Sequence, residues 1–277
     1  MVAIDKNICT KCGICLSAFE GYCINSSDCF PVINYSLCNQ CQKCIALCPY
    51  QAISINGIFP EKISNSSKIG YKELISLLSF RQSTKSFKKQ DIPHDIIETI
   101  ARSAKYAPNQ NKNIGILIVN DDSIIEHIDT AALQFFKRIY KIMFALKPVT
   151  FFIRLFVKSL PVIKKKMERD LFHNKHIVKM NTNALLLAVG EPRVPVTEMS
   201  AQYLLAMMIV TATSLDIGCT LMDSIKIAVN SNKKLKRKLG IKSGEKVLGV
   251  LALGYSNEKI VNIPKGYEVP VFWNRIS

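Results

Sequence analysis

The spacing of apolar residues predicts a chain of alternating helices and short strands. From Tyr71 onward the apolar positions recur at helical intervals and share one face: Leu74, Ile75, Leu77 and Leu78. A second helix opens at Ile92-Pro93 and ends before Ala107-Pro108, with core positions at Ile96, Ile97, Ile100, Ala101 and Ala104. Continuous apolar runs at 115–119, 184–189 and 246–253 predict three buried strands.

Residues 199–215 form an uncharged stretch of seventeen residues that include a glutamine, two serines and two threonines. A bilayer span needs about twenty predominantly apolar residues. The stretch is shorter and more polar than that, so we predict a buried core helix.

Residues 131–166 contain nine Lys or Arg and no acid. On a helix, Gln134, Lys137, Arg138 and Lys141 share one arc, and the opposite arc holds Leu133, Phe136, Ile139, Tyr140 and Met143. Pro148 and Pro161 divide the stretch. Two interpretations stay open: a substrate lid, which we favour, or a basic amphipathic element on a membrane surface.

The first sixty residues have a different pattern. Short strands are predicted at 32–34 and 53–55, and Asn56-Gly57 is a turn signal. Residues 61–70 are polar and lack aromatic side chains, which is typical of a linker. The sequence therefore predicts a module at 1–60, a linker at 61–70 and a second domain at 71–277.

Nine of the ten cysteines lie in that module. Cys38, Cys41, Cys44 and Cys48 are spaced C-x2-C-x2-C-x3-C and are followed by Pro49, which is the run of bacterial two-cluster ferredoxins. Cys9, Cys12 and Cys15 repeat its opening. Each run in such proteins supplies its fourth cysteine to the other cluster, so Cys9, Cys12 and Cys15 are predicted to share a 4Fe-4S cluster with Cys48.

The second cluster, on Cys38, Cys41 and Cys44, needs a ligand from the first run. Phe19 occupies the expected position, and Cys23 and Cys29 follow it. We favour Cys23, because one added helical turn would keep it on the same face. Cys29 remains an alternative, as does a 3Fe-4S cluster with three cysteine ligands.

Other uses of cysteine fit the pattern less well. Zinc sites usually pair two C-x2-C elements and need no third and fourth cysteine at these intervals. The opening residues lack the apolar core of a secretory signal, so we expect a cytoplasmic, reducing location without disulfides. Cys219 is predicted to be a buried free thiol, and His173 and His176 a surface pair.

The formal net charge of +16 indicates acidic or phosphorylated partners, such as another electron carrier, an anionic membrane or a phosphorylated cofactor. No recognised nucleic-acid-binding motif occurs, so we exclude nucleic acid as the expected partner. The chain also lacks the glycine-rich patterns of Rossmann and phosphate-loop sites.

Arg81-Gln82-Ser83-Thr84-Lys85-Ser86-Phe87 resembles the R-x-S-x-[RK]-x-F signature that opens FMN-dependent nitroreductases. The elements that follow also occur in the order typical of that family. They are the next helix, the asparagine loop at 109–113, the 115–119 strand, Gly218-Cys219 and the final strand at 247–255. The resemblance covers about residues 71–277. The chain thus resembles a nitroreductase-family protein behind a two-cluster ferredoxin module.

This resemblance implies an α+β fold that forms a homodimer through long helices, with FMN at the dimer interface. Arg81, Ser83 and Lys85 would hold the FMN phosphate, because charged and hydroxyl donors suit it. Gln82 would contact the ribityl chain or ring edge, and Asn111 the ring or ribityl chain, with Asn109 and Asn113 as alternatives. Lys265 matches the family's late basic residue. The sequence identifies no catalytic residue.

We therefore expect an oxidoreductase that passes electrons from its iron–sulfur clusters to FMN and on to a small oxidised organic substrate, such as a nitroaromatic compound or a quinone. The external donor would be ferredoxin or a similar low-potential carrier. The alternative is a non-catalytic electron-transfer or redox-sensing subunit of a larger complex.

Overall fold

A computed structural model describes residues 1–19, 22–28, 30–63, 69–108, 114–145, 159–173, 176–178, 181–192, 195–263 and 269–273. The chain divides into two compact units, Met1–Gly70 and Tyr71–Ser277. The division falls at the end of the segment predicted as a linker, of which residues 64–68 lie outside the described ranges.

Unit 1 is built from two similar halves. The first contains β1 (Val2–Ile4), α1 (Ile14–Phe19) and β2 (Ile24–Ser27), and the second contains β3 (Phe30–Ile33), α2 (Lys43–Leu47) and β4 (Ile53–Ile55). β1 pairs antiparallel with β4, and β2 pairs with β3. The shared core consists of Val2, Ile24, Ile33, Cys44, Ile45 and Ile53. Both strands predicted in this module are confirmed. β3 begins two residues before the predicted start at residue 32 and ends at Ile33, one residue before the predicted end.

The turn after β4 confirms the Asn56-Gly57 signal. Asn56 has φ 51° and Gly57 has φ 78°. Positive φ at both central residues is the requirement of a type I′ turn. Ile55 and Ile58 form the bridge that closes this turn.

Unit 2 has one four-stranded antiparallel sheet with the strand order β5-β6-β8-β7. Its strands are β5 (Gly115–Val119), β6 (Ala184–Gly190), β7 (Gly218–Leu221) and β8 (Lys246–Gly254). Its helices are α3 (Tyr71–Phe80), α4 (His94–Arg102), α5 (Asp122–Ala145), α6 (Leu160–Glu168), α7 (Pro195–Ser214), α8 (Asp223–Asn230) and α9 (Lys233–Lys238). A 3-10 turn (Ser103–Tyr106) follows α4, and a π-helical turn (Arg169–His173) follows α6.

Alternating residues of the central strands build a core on each face of the sheet. Leu185 and Leu187 of β6 pack with apolar side chains of α5 and α8. Leu186 packs on the opposite face with side chains of α4 and α7. Because strand side chains alternate between faces, a continuously apolar strand is buried on both sides. The predictions of buried strands at 184–189 and 246–253 are confirmed.

β5 is a strand, but the prediction that it is buried was wrong. Val119 is its only buried residue. Among the strands that the structure describes, β5 lies at one edge of the sheet and pairs with β6 alone. An apolar run therefore identified the strand but not its place in the strand order.

α7 contains the uncharged stretch, and only one of its faces is buried. Leu204, Leu205, Met208 and Ala212 lie in the core, whereas Met199 and Tyr203 are 53% and 43% exposed. The prediction of a core helix therefore holds for one side only. No helix of the described ranges is long and apolar enough to cross a membrane.

The described parts of the basic stretch lie in two helices. α5 begins at Asp122, well before the stretch, and α6 begins at Leu160 with Pro161 in its first turn. Proline fits there because the first backbone N–H groups of a helix have no partner within the helix. Gln134, Arg138 and Lys141 are exposed on α5, as the helical arc predicts. Residues 146–158 lie outside the described ranges.

Candidate functional site

Four cysteines of unit 1 line one small cavity: Cys9, Cys12, Cys15 and Cys48. Its other walls include Ile4, Pro31, Pro49 and Ile53, which make the cavity largely apolar. Burial, followed by the nearby Cys9 and Cys12 sulfurs, raises the pKa of the Cys15 thiol. The backbone N–H of Ala52 donates a hydrogen bond to Cys48 Sγ at 3.3 Å. The structure thus brings together the four residues that the sequence assigned to one cluster.

The second set consists of Cys23, Cys38, Cys41 and Cys44. Burial raises the pKa of Cys44 to about 11, with further contributions from Cys41, Cys38 and Cys23. The pKa of Cys23 is raised by burial and then by Cys38 and Cys41. The backbone N–H of Asn34 donates to Cys23 O at 2.8 Å, which holds Cys23 beside the start of the second run. The four sulfurs therefore form a second group.

The local structure that places Cys23 in this group differs from the one predicted from the sequence. α1 ends at Phe19, and Cys23 directly precedes β2. The added helical turn was therefore the wrong reason for a residue that the structure does place beside Cys38 and Cys41. The competing Cys29 lies outside the described ranges.

The two cysteine loops have the same backbone conformation. Lys11 and Gly13 flank Cys12 with φ values of 60° and 77°, and Gln40 and Gln42 flank Cys41 with φ values of 56° and 65°. Left-handed φ is uncommon for residues other than glycine and is concentrated at functional loops. The repeated pair of left-handed residues turns each loop around its middle cysteine.

Among the residues that the structure describes, no three His, Cys, Asp or Glu side chains lie close enough to hold one metal ion.

In unit 2, the segment 81–87 follows the end of α3 and forms bridges at Ser83 and Phe87. Arg81, Ser83 and Lys85 are exposed, whereas Thr84 is buried. An exposed hydroxyl therefore lies between two exposed cations along the segment.

Neighbouring strands hold this segment in place. Ser83 and Cys219 form a parallel bridge, and the Thr84 N–H donates to Cys219 O at 3.0 Å. Phe87 is completely buried and bridges to Ser256. A Cβ atom built on Gly254 would lie 2.6 Å from the Phe87 ring, so the ring occupies space that only glycine leaves open.

Cys219 is free and buried, as predicted. Burial raises the pKa of its thiol to about 11, and the positive charge of Arg81 opposes this shift. Arg81 therefore lies near β7. This places the segment 81–87 beside the Gly218-Cys219 pair.

The model of the nitroreductase family matches residues 78–255, more than half of the sequence. The chain belongs to the nitroreductase family. A 4Fe-4S binding domain model matches residues 30–53, which include the second cysteine run. No curated protein sequence matches this chain.

Solved structures confirm the nitroreductase fold of unit 2. An FMN-bound nitroreductase from Bacteroides fragilis is 17% identical, with a TM-score of 0.54 over 72% of this chain and 99% of that one. An FMN-bound nitroreductase from Desulfitobacterium hafniense is 14% identical, with a TM-score of 0.56 over 72% and 98%. An iodotyrosine deiodinase bound to FMN and 3-iodo-L-tyrosine is 17% identical, with a TM-score of 0.52 over 73% and 100%.

Several flavin contacts predicted for this nitroreductase-family chain are outside the described ranges: Asn109, Asn111, Asn113 and Lys265. Of the predicted contacts, the structure describes Arg81, Gln82, Ser83 and Lys85, which all lie between the end of α3 and Phe87.

Two residues that hold the segment 81–87 were not predicted from the sequence. Asn257 donates from Nδ2 to Phe87 O at 2.7 Å and to Ser86 Oγ at 3.0 Å. Glu258 accepts a hydrogen bond from the Lys85 N–H at 2.8 Å. Both residues follow β8 and lie at least 170 positions from their partners.

His173 and His176 are both exposed, as predicted, and each contacts a neighbouring polar group. His176 Nδ1 lies 2.7 Å from Asp129 Oδ2, and Asp129 Oδ1 accepts hydrogen bonds from the N–H groups of Ile177 and Val178. His173 instead contacts Glu168 O through its Nδ1 at 3.3 Å. The two histidines therefore have separate structural partners.

Proposed function

We propose that the protein is an oxidoreductase that passes electrons from iron–sulfur clusters to FMN and on to a small oxidised organic substrate. One observation carries the proposal: a unit with two groups of four cysteines is joined to a unit of the nitroreductase family. Clusters of this type transfer single electrons, and bound FMN would supply the two-electron chemistry.

Two 4Fe-4S clusters fit the two cysteine groups. Cys9, Cys12, Cys15 and Cys48 would hold one cluster, and Cys38, Cys41, Cys44 and Cys23 the other. Cluster ligation requires thiolates, and the iron supplies the positive charge that favours deprotonation despite burial. The apolar walls around the first group would limit access of water.

The segment 81–85 fits the phosphate of FMN. Arg81 and Ser83 are both exposed and offer a charged donor and a hydroxyl two residues apart. Lys85 lies next to them, but the Glu258 carboxylate binds its backbone N–H and adds negative charge there. We therefore assign the larger share of phosphate binding to Arg81 and Ser83. Gln82, Asn111 and Lys265 remain proposed contacts from the sequence.

Replacing Arg81 with glutamine is expected to weaken FMN binding about tenfold to hundredfold, because a hydrogen bond to a charged group contributes roughly 1.5–3 kcal/mol. Lys85→Gln should have a smaller effect because of Glu258. Titration of apoprotein with FMN, followed by flavin fluorescence, measures both. Arg237→Gln, which removes the same charge from exposed α9, is the control. Unchanged FMN affinity in Arg81→Gln would contradict the assignment.

The cluster-fed pathway is tested by comparing electron donors. Under anaerobic stopped flow, reduced ferredoxin is expected to bleach the flavin absorbance faster than NADPH, because the clusters accept single electrons from such a carrier. Faster bleaching by NADPH would argue that the clusters do not feed the flavin. Purified protein with clusters but without FMN would instead support a non-catalytic electron carrier.

A homodimer is part of this proposal. None of the residues of α3 is buried in the protomer, and Tyr71, Leu74, Ile75 and Leu78 are 41–78% exposed. α3 packs against α7, whose Met199 and Tyr203 are also exposed. A contiguous apolar patch of this kind is typical of a protein interface. Sedimentation velocity of the holoprotein would detect the dimer, and a monomer at all concentrations would refute it.

A further inference from the structure

The end of α5, the whole of α6 and the π-helical turn after α6 form a surface that we call the basic arm. It comprises residues 137–145 and 159–173. An aromatic cluster joins its parts. The Tyr140 ring lies 4.9 Å from the Phe144 ring and 5.3 Å from the Phe172 ring, centroid to centroid. Tyr140 also donates its hydroxyl proton to Glu168 Oε1 at 2.5 Å. These contacts define the inner side of each helix.

Cations extend this inner contact. Lys164 Nζ lies 5.8 Å from the Phe144 ring centroid and 3.8 Å from Glu168 Oε1. Lys137 Nζ lies 5.9 Å from the Phe172 ring centroid. Cations over aromatic rings and beside carboxylates stabilise a helix pair of this kind. The inner side of the arm is therefore occupied by contacts within the arm itself.

The outer side of each helix combines cations with an exposed apolar residue. On α5, Arg138 and Ile142 lie about half a turn from Tyr140, and on α6, Val162 and Lys166 lie about half a turn from Lys164. Ile142 is 50% exposed and Val162 is 71% exposed. Lys141, Lys165 and Arg169 are exposed as well.

The charge of the arm is strongly positive. It contains seven Lys or Arg and two carboxylates. Both carboxylates are already engaged: Glu168 contacts Tyr140 and Lys164, and Asp170 pairs with Arg169. The lysines of the outer side, by contrast, are free to meet an anionic surface with their ammonium groups while their methylene chains cover apolar groups.

We propose that the basic arm docks the protein on an anionic lipid surface. A helix surface with cations around exposed aliphatic side chains matches the boundary of a bilayer, where the cations meet lipid phosphates and the apolar residues enter the headgroup region. Each Lys or Arg near such a surface contributes to binding, and the contributions fall with salt. A purely acidic protein partner would match the cations but would leave Ile142 and Val162 exposed.

This proposal replaces the substrate lid as the favoured interpretation of the stretch. A lid requires side chains directed at a substrate, whereas the described outer side of the arm is exposed. The proposal does not depend on the clusters or on FMN, and vesicle binding tests it separately from any activity.

The experiment is flotation of the holoprotein with vesicles made of two parts phosphatidylcholine and one part phosphatidylglycerol. The protein is expected to bind these vesicles at low salt and to bind them less at high salt. It should not bind vesicles of phosphatidylcholine alone. The double variant Lys165→Glu/Lys166→Glu should lower the vesicle partition coefficient roughly tenfold or more, because it reverses two charges of the outer side.

The matched control is Lys234→Glu/Arg237→Glu, which makes the same change of charge on exposed α9. It is expected to bind vesicles nearly as the unchanged protein does. Equal loss in both variants would mean that only the net charge matters and would overturn the assignment to the arm. No flotation of the unchanged protein would also overturn it, and an altered KM for a soluble acceptor in the arm variant would then restore the lid. The milder variant Lys165→Gln/Lys166→Gln should have a vesicle partition coefficient between those of the unchanged protein and the double glutamate variant. Circular dichroism would check that its fold is intact.

Discussion

Replacing Cys23 with serine is expected to halve the iron of the protein, from about eight to about four atoms per chain. Cys23 lies with Cys38, Cys41 and Cys44, and its pKa responds to Cys38 and Cys41, so its loss removes the fourth sulfur of one group only. Iron and sulfide analysis after anaerobic purification measures the loss. Retention of about seven iron atoms would instead indicate a 3Fe-4S cluster on the remaining three cysteines.

Cys29→Ser is the matched comparison, because Cys29 was the competing ligand in the sequence. It should keep the full iron content. Loss of iron in Cys29→Ser together with full iron in Cys23→Ser would reverse the assignment. The electron paramagnetic resonance spectrum of the reduced protein gives an independent reading, since magnetic coupling between two clusters should vanish in Cys23→Ser.

Replacing Gly254 with alanine is expected to destabilise unit 2 by at least about 1–3 kcal/mol, the usual range for overpacking a core. The new methyl group would lie 2.6 Å from two atoms of the Phe87 ring and 3.0 Å from its Cβ. A buried ring cannot move aside as the end of a flexible side chain can, so the segment 81–87 must shift. Thermal unfolding should therefore show a lower Tm for unit 2, accompanied by weaker FMN binding.

Gly115→Ala is the control for this change. Gly115 also lies in a strand of the same sheet, but nothing lies within 4 Å of a Cβ atom built on it. Alanine should leave the stability unchanged or raise it by about 0.4–1 kcal/mol, because it restricts the unfolded chain. Equal Tm values for Gly254→Ala and the unchanged protein would show that the signature segment is not held by close packing at β8.

The sequence predicted the parts of the fold that depend on local periodicity. The strand at 184–189 is buried on both faces and is therefore continuously apolar, so its pattern is unambiguous. The edge position of β5 depends instead on which strand pairs with which, and a run of five apolar residues contains no information about that order.

The same division applies to the candidate site. Three cysteines in one tight loop are recognised by spacing, because the loop itself brings their sulfurs together. Cys23 comes from another part of the chain, and its approach depends on the pairing of β2 with β3. Asn257 and Glu258 hold the 81–87 segment from at least 170 positions away, and asparagine or glutamate after a strand has no distinctive local pattern.

The exchange of cysteines between the two halves of unit 1 has a consequence for the order of synthesis. Under the proposed ligation, Cys15 leaves the ribosome thirty-three residues before Cys48, which completes its group. Cys23 likewise waits for Cys38, Cys41 and Cys44. The nascent first half therefore holds no complete set of ligands, and both clusters become possible only when α2 has been made. Cluster insertion should accordingly be a late and concerted event in which the two halves close on each other.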